Sequence, residues 1–288
     1  MSGPALRNFR EKGLAFAEAD ALLAEMIGQR RDLLGRPIFV GLCGPQGSGK
    51  STTAARLAQV LGATGRTVAV LSIDDFYLTK AERIDLGRDV HPLLETRGVP
   101  GTHDIRKLDA AIGELLNGDG PVAVQTFDKT IDDTAPRENW PIHDAPVDVV
   151  LLEGWCVGAP AIPDDALEMP INALERDEDS DGRWRRFMND ALLGAYRQTF
   201  DRIDLSILLR APDFANVPAW RLEQEQRLTR SPDAPRAMDE QAILRFVSHY
   251  ERLTRWILQE ESADVVIDIA GDRTPLRARH GRPKRSLR

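Results

Sequence analysis

Residues 44–52 read "GPQGSGKST" and contain G-x-x-x-x-G-K-[ST] in full, with Gly44, Gly49, Lys50 and Ser51 at the fixed positions. Glycines at this spacing permit tight turns and leave backbone N–H groups uncovered, free to point at phosphate oxygens. An apolar run, "RPIFVGLCG", precedes the motif, and a helical pattern, "KSTTAARLAQVLG", follows it. The loop therefore opens a helix whose N-terminus adds partial positive charge. Gln46, Gly47, Ser48, Gly49, Lys50, Ser51 and Thr52 are the candidate phosphate-binding residues. Lys50 is expected to reach the β- and γ-phosphates of a nucleoside triphosphate, and Ser51 to ligate Mg2+.

A second chemical feature is "LSIDDFYLT", residues 71–79, where Asp74 and Asp75 end an apolar run. Adjacent like charges are seldom placed for stability. In an open α/β sheet, ligands bind at the carboxyl ends of strands, so these aspartates are expected to face the γ-phosphate. A carboxylate there accepts the proton of an acceptor hydroxyl or orients that hydroxyl for in-line attack. Strand parity does not choose between them: Val68, Val70, Ser72 and Asp74 share one face, and Ala69, Leu71, Ile73 and Asp75 the other. A third run ends in "LLEGW", which puts Glu153 where such folds carry an acidic residue near Mg2+ or its waters.

Cations follow. "LLETRGVPGTHD" brings Arg97, His103 and Asp104 together around glycines and a proline, the look of a shaped binding loop, and "FDKT" adds Lys129. An acidic acceptor needs such cations. Tyr77 and Trp155, beside the two carboxylate motifs, complete the candidates on the acceptor side. "WRLEQEQRL" carries Arg221 and Arg227 on a helix, where a lid arginine would stabilise the transferring phosphoryl group. Arg221 and Glu225, four apart, also fit a plain surface pair.

These residues need a scaffold. "RPIFVGLCG", "RTVAVLSID", "VDVVLLEG", "IDLSILLR" and "ADVVIDIA" are near-continuous apolar runs, the pattern of strands buried on both faces. Helical periodicity fills residues 8–35, 104–117, 183–200, 214–230 and 238–259. The alternation predicts an α/β chain with the three-layer P-loop NTPase fold: a mostly parallel, five-stranded sheet with helices on both faces. Residues 1–36 are expected to be a helical extension, 37–272 the kinase-like domain, and 273–288 a basic, disordered tail. Residues 120–127 read as a short strand outside the core, and the acidic stretch "ERDEDSDG" (175–182) as a solvated loop.

Bulk properties narrow the function. The 288 residues are 42% hydrophobic, enough for a substantial core, and carry a formal charge of −7. Net acidity gives no general reason to expect nucleic acid or an anionic membrane as partner; the basic tail alone favours an anion. Cys43 and Cys156 stand far apart with no CxxC or Cys/His cluster, which argues against a disulfide scaffold or a zinc site. The opening "MSGPALRNFREKG" is not the pattern of a secretory signal, and no apolar window approaches a membrane span, so a cytoplasmic protein is expected. A guanine-reading N-K-x-D motif is absent. What fits is small-molecule phosphoryl transfer; a non-catalytic ATP-binding regulator would keep Lys50 and Ser51 but need no acceptor pocket.

Taken in order, "GPQGSGKST", "LSIDDFYLT", "TRGVPGTHD", "FDKT", "LLEGWCVG" and "WRLEQEQ" resemble the D-glycerate 3-kinases of plant and fungal type. These belong to the wider group of uridine kinase, pantothenate kinase and phosphoribulokinase. The resemblance runs from about residue 37 to 270, and "MDEQAILRFVSHYERLT" looks like the family's C-terminal helix. It implies the reaction ATP + D-glycerate → ADP + 3-phosphoglycerate, with uridine or pantothenate as alternative acceptors. It also implies that the catalytic carboxylate is Asp74, that Glu153 is the metal-side acid, and that Arg97, His103, Asp104 and Lys129 line the acceptor side. Asp75 is then either a supporting residue behind the catalytic carboxylate or a backbone-capping one, and its loss is expected mainly to cost stability or positioning.

Overall fold

A computed structural model of the chain describes residues 14–228 and 239–282, without the side chains of residues 227 and 228. The helices are α1 (Phe16–Leu34), α2 (Lys50–Ala63), α3 (Lys80–Asp89), α4 (Ile105–Asn117), α5 (Ala173–Glu178), α6 (Arg183–Ala191), α7 (Arg197–Phe200), α8 (Asn216–Leu228) and α9 (Glu240–Glu260). The strands are β1 (Ile38–Cys43), β2 (Val68–Ser72), β3 (Pro121–Ala123), β4 (Phe127–Asp128), β5 (Asp133–Thr134), β6 (Ile142–Asp144), β7 (Val149–Gly154), β8 (Leu205–Arg210), β9 (Val265–Ile269) and β10 (Pro275–His280).

The central sheet runs β10-β9-β8-β1-β7-β2. All its neighbouring pairs are parallel except β10 on β9, as the expected α/β fold requires. Alternate residues of β1 and β7 feed two cores: Phe39, Val150 and Leu152 point to one, and Ile38, Val40, Leu42, Val149 and Leu151 to the other. Two-sided burial explains the unbroken apolar runs. Strand β2 departs from that expectation. It is the sheet edge, and Val70 is 36% exposed while Ala69 and Leu71 are buried.

The order places β1 between β7, which leads on to β2, and β8, which leads on to β9. Such a reversal of direction opens a crevice at the strand ends, and the phosphate loop begins there. Residues 121–123 do form a short strand outside this sheet, paired with β6.

Two segments differ from their sequence reading. The acidic stretch 175–182 is not a solvated loop. Glu175 and Asp179 are buried; Arg252 on α9 pairs with Glu175 at 2.5 Å, and Arg185 on α6 with Asp179 at 2.8 Å. Asp179 also accepts the N–H groups of Trp184 and Arg185, so it ties α5 to α6. The basic segment from 273 onward is not a disordered tail over its described part. Residues 275–280 form β10, a sixth strand, held by Arg277 and Arg279 on Asp268 and by Arg279 on Glu261. Residues 283–288 lie outside the described residues.

Helix α1 is packed into the same body: Leu22, Leu23 and Ile27 join the second core, and Asp20 pairs with Arg56 of α2 at 2.5 Å. Its predicted start near residue 8 falls outside the described residues. Among the described residues no helix is long and apolar enough to cross a membrane.

Candidate active site

The phosphate loop leaves β1 at Cys43 and enters α2 at Lys50. Gly47 (φ 76°) and Gly49 (φ 88°) adopt left-handed backbone that side chains disfavour. A Cβ on Gly47 would also stand 2.5 Å from the Cβ of Trp220, so α8 lies directly against the loop. Arg273 clamps the same point: its Nε donates to the Gly47 carbonyl at 2.5 Å, and its Nη2 reaches Glu223 of α8 at 2.5 Å. Sequence reading missed Arg273 because it seemed to begin the tail. Gln46 Oε1 and Ser48 Oγ are buried without hydrogen-bond partners among the described residues. A cavity of about 260 Å³ beside the loop is lined by Ser48, Gly49, Thr52, Asp272 and Arg273, and by Phe16 and Asp20 of α1.

Parallel pairing sets the metal-side candidates next to the loop. Glu153, near the end of β7, lies in register with Leu42 of β1 and Ser72 of β2. Its Oε1 accepts the Ser51 hydroxyl at 2.8 Å, while Oε2 is buried without a hydrogen-bond partner among the described residues.

Strand β2 then runs into a 3-10 turn, Ile73–Phe76, whose start is capped by Ser72 Oγ accepting the Asp74 N–H. The turn separates the two aspartates. Asp74 accepts the Tyr77 hydroxyl at 2.8 Å and Lys129 Nζ at 2.9 Å, and its side chain is 34% exposed. Burial alone would raise its pKa, but the charges of Lys129 and Lys50 outweigh that and hold it at about 2. Asp75 turns to the backbone instead, and its Oδ1 accepts the Phe127 N–H at 3.1 Å. Burial lifts Asp75 to about 6; the charges of Asp74 and Glu153 also raise it, against the opposing Phe127 N–H.

The "RGVPGTHD" loop supplies the facing wall. His103 stacks on Tyr77 with ring centroids 4.6 Å apart, and its Nδ1 lies 2.6 Å from the Tyr196 hydroxyl. Other expected residues are committed to structure. Asp104 caps α4, its Oδ1 accepting the Lys107 N–H at 3.0 Å. Trp155 is buried, and its Nε1 holds the Gly98 carbonyl at 2.8 Å, so it braces the loop from behind. Arg97 pairs with Asp132 and lies over the Phe127 ring. Arg221 takes the within-helix option, Nη2 to Glu225 at 2.8 Å, and lies over Phe246. The Arg227 side chain lies outside the described residues. Lys50, Ser51, Asp74, Tyr77, His103, Lys129 and Glu153 thus gather at one end of the sheet.

The chain is 32% identical to the fission-yeast "uncharacterized kinase mug58" (Schizosaccharomyces pombe) over 75% of its own length and 79% of that protein. The chain belongs to this family of P-loop small-molecule kinases. Another relative is the chloroplastic D-glycerate 3-kinase of Arabidopsis thaliana, 29% identical over 74% of this chain but only 46% of the plant protein. The solved D-glycerate 3-kinase of Cryptococcus neoformans superposes with a TM-score of 0.72, covering 91% of this chain and 99% of that one at 21% identity. It supports the fold. A family model described as "Methylmalonyl Co-A mutase-associated GTPase MeaB" matches residues 11–78, which hold the phosphate loop and β2. As a family member the chain is an ATP-dependent kinase, and the geometry above is its candidate catalytic centre.

Proposed function

We propose that this kinase transfers the γ-phosphoryl group of ATP to the hydroxyl of a small hydroxy acid, D-glycerate giving 3-phosphoglycerate being the first candidate. One observation carries the reading: an ionised, partly exposed Asp74 stands beside Lys50 and a Ser51–Glu153 pair, with Lys129 as a neighbouring cation. The name of the Arabidopsis relative supports glycerate as acceptor.

The loop N–H groups and Lys50 hold the triphosphate. The Ser51 hydroxyl and Glu153, whose buried Oε2 has no hydrogen-bond partner among the described residues, are an oxygen donor set that fits Mg2+. When bound, that ion supplies neutralisation of charge developing on the β- and γ-phosphates. A carboxylate at about 2 is a weak base at neutral pH. Asp74 therefore acts first by orientation: it accepts the hydrogen bond of the acceptor hydroxyl and aims its oxygen in line, which a loose phosphoryl-transfer transition state rewards. The hydroxyl proton leaves late, through Asp74 to solvent, once the forming O–P bond has made that oxygen acidic. Lys129, 57% exposed, is the cation available to the substrate carboxylate.

The test is coupled ADP release by purified protein with D-glycerate, uridine and pantothenate compared. Stimulation by D-glycerate alone is expected; stimulation by another acceptor, or by none, refutes the glycerate assignment. Asp74→Asn is expected to lower turnover by about 10²-fold, the order that mispositioning of a reacting atom costs. Turnover near wild type would remove Asp74 from the chemistry.

A further inference from the structure

We infer that Tyr196 is a positioning residue for acceptor recognition: it locks His103 in the tautomer protonated on Nε2, so that an uncharged N–H donor faces an oxygen of the acceptor. The inference deepens the kinase reading above and rests on it.

Tyr196 reaches the site through an irregular backbone. Between α6 and α7 the helix loosens into a π-helical turn, Leu192–Tyr196, with non-helical dihedrals at Gly194 (φ −92°, ψ −114°). Such insertions rotate the following side chains relative to an unbroken helix and are frequent at functional sites. Here the turn ends on Tyr196, a buried side chain whose hydroxyl meets two groups of the acceptor loop. The Gly101 N–H lies 3.0 Å away, and His103 Nδ1 lies 2.6 Å away.

Proton counting then orders the network. A backbone N–H only donates, so the hydroxyl accepts from Gly101. Its own proton goes to Nδ1, which must be the unprotonated ring nitrogen, and the ring proton sits on Nε2. The opposite assignment strands a buried hydroxyl proton. Nε2 is itself buried, with no hydrogen-bond partner among the described residues. A donor left unpaired inside a candidate acceptor site is a place for a ligand oxygen.

The ring cannot swing to find another partner. It stacks on Tyr77, whose hydroxyl binds Asp74, and the backbones of Tyr77 and His103 form a bridge. The donor is thus held in fixed relation to the orienting carboxylate. Burial keeps the imidazole neutral, with its pKa pushed down to about 4 against the attraction of Asp74.

The decisive measurement is ¹⁵N imidazole NMR on the full chain at pH 7, with His103 assigned among the 5 histidines by His103→Gln. The Nε2–H tautomer is expected, with its signal moving when D-glycerate and ADP are added. An Nδ1–H tautomer or an imidazolium in the wild type overturns the proposal even if no variant folds. In Tyr196→Phe the tautomers should mix, and KM for the acceptor should rise about 10-fold while KM for ATP holds. An unchanged tautomer, or an unchanged acceptor KM, overturns it as well. Wild-type protein that has the Nε2–H tautomer but shows no glycerate-stimulated ADP release refutes the glycerate assignment and leaves the lock supported.

Discussion

Asp75→Asn should stabilise the protein at neutral pH, although sequence reading anticipated a loss. Asp75 is a cap: its Oδ1 accepts the Phe127 N–H, and an asparagine Oδ1 keeps that bond. What the substitution removes is a charge that the folded state disfavours. Burial, with Asp74 and Glu153 nearby, lifts the group from 3.8 to about 6. That gap corresponds to at most about 3 kcal/mol. The sign follows from proton binding. Between the two values the native state holds the proton that the unfolded chain has released. The stabilisation by protonated Asp75 is therefore full below about 3.8 and is lost as pH rises through about 6. Urea unfolding of wild type and Asp75→Asn at a series of pH values isolates this group as a difference curve. Near pH 3.5 the two should differ little; by pH 8 the variant should be more stable by about 2–3 kcal/mol. A difference that stays flat from pH 3.5 to 8, or a variant less stable at pH 8, would refute the assignment of a buried, disfavoured charge.

Asp179→Asn leaves Arg185 as a buried cation without its counter-charge, and urea unfolding should register a loss of about 3–5 kcal/mol. Arg273→Ala removes the clamp on the Gly47 carbonyl; KM for ATP should rise about 10-fold with little change in acceptor KM, read from initial rates. Deleting residues 275–288 strips β10 from β9 and takes Arg277 and Arg279 from Asp268 and Glu261, leaving Arg210 to pair with them, so Tm should fall by about 5 °C or more and the bare edge should promote aggregation, measurable by thermal scan and light scattering.

Much of this site was legible because its signals are local. Glycine spacing before a Lys-Ser pair dictates loop geometry wherever the loop stands, and Gly47 and Gly49 do take left-handed backbone. The runs that became β1, β7 and β9 read as doubly buried strands because each is wholly buried. The run of β2 looks the same in sequence yet leaves Val70 36% exposed, since edge position depends on which strand has no further neighbour.

Charge was read least well, because its partners are remote. "ERDEDSDG" has the composition of a solvated loop, but Glu175 is neutralised by Arg252, 77 positions away. Arg277 and Arg279 look like tail residues until β9 brings Asp268 beside them. Asp74 and Asp75 make the same point at the centre. The sequence by itself determined that two carboxylates end a strand near a phosphate loop. Tertiary structure alone decided that a single 3-10 turn sends Asp74 to Lys129 and Tyr77 and Asp75 to the Phe127 backbone. Identical side chains then acquire pKa values near 2 and near 6, because burial raises both but Lys129 and Lys50 outweigh it at Asp74, whereas the neighbouring acids add to it at Asp75.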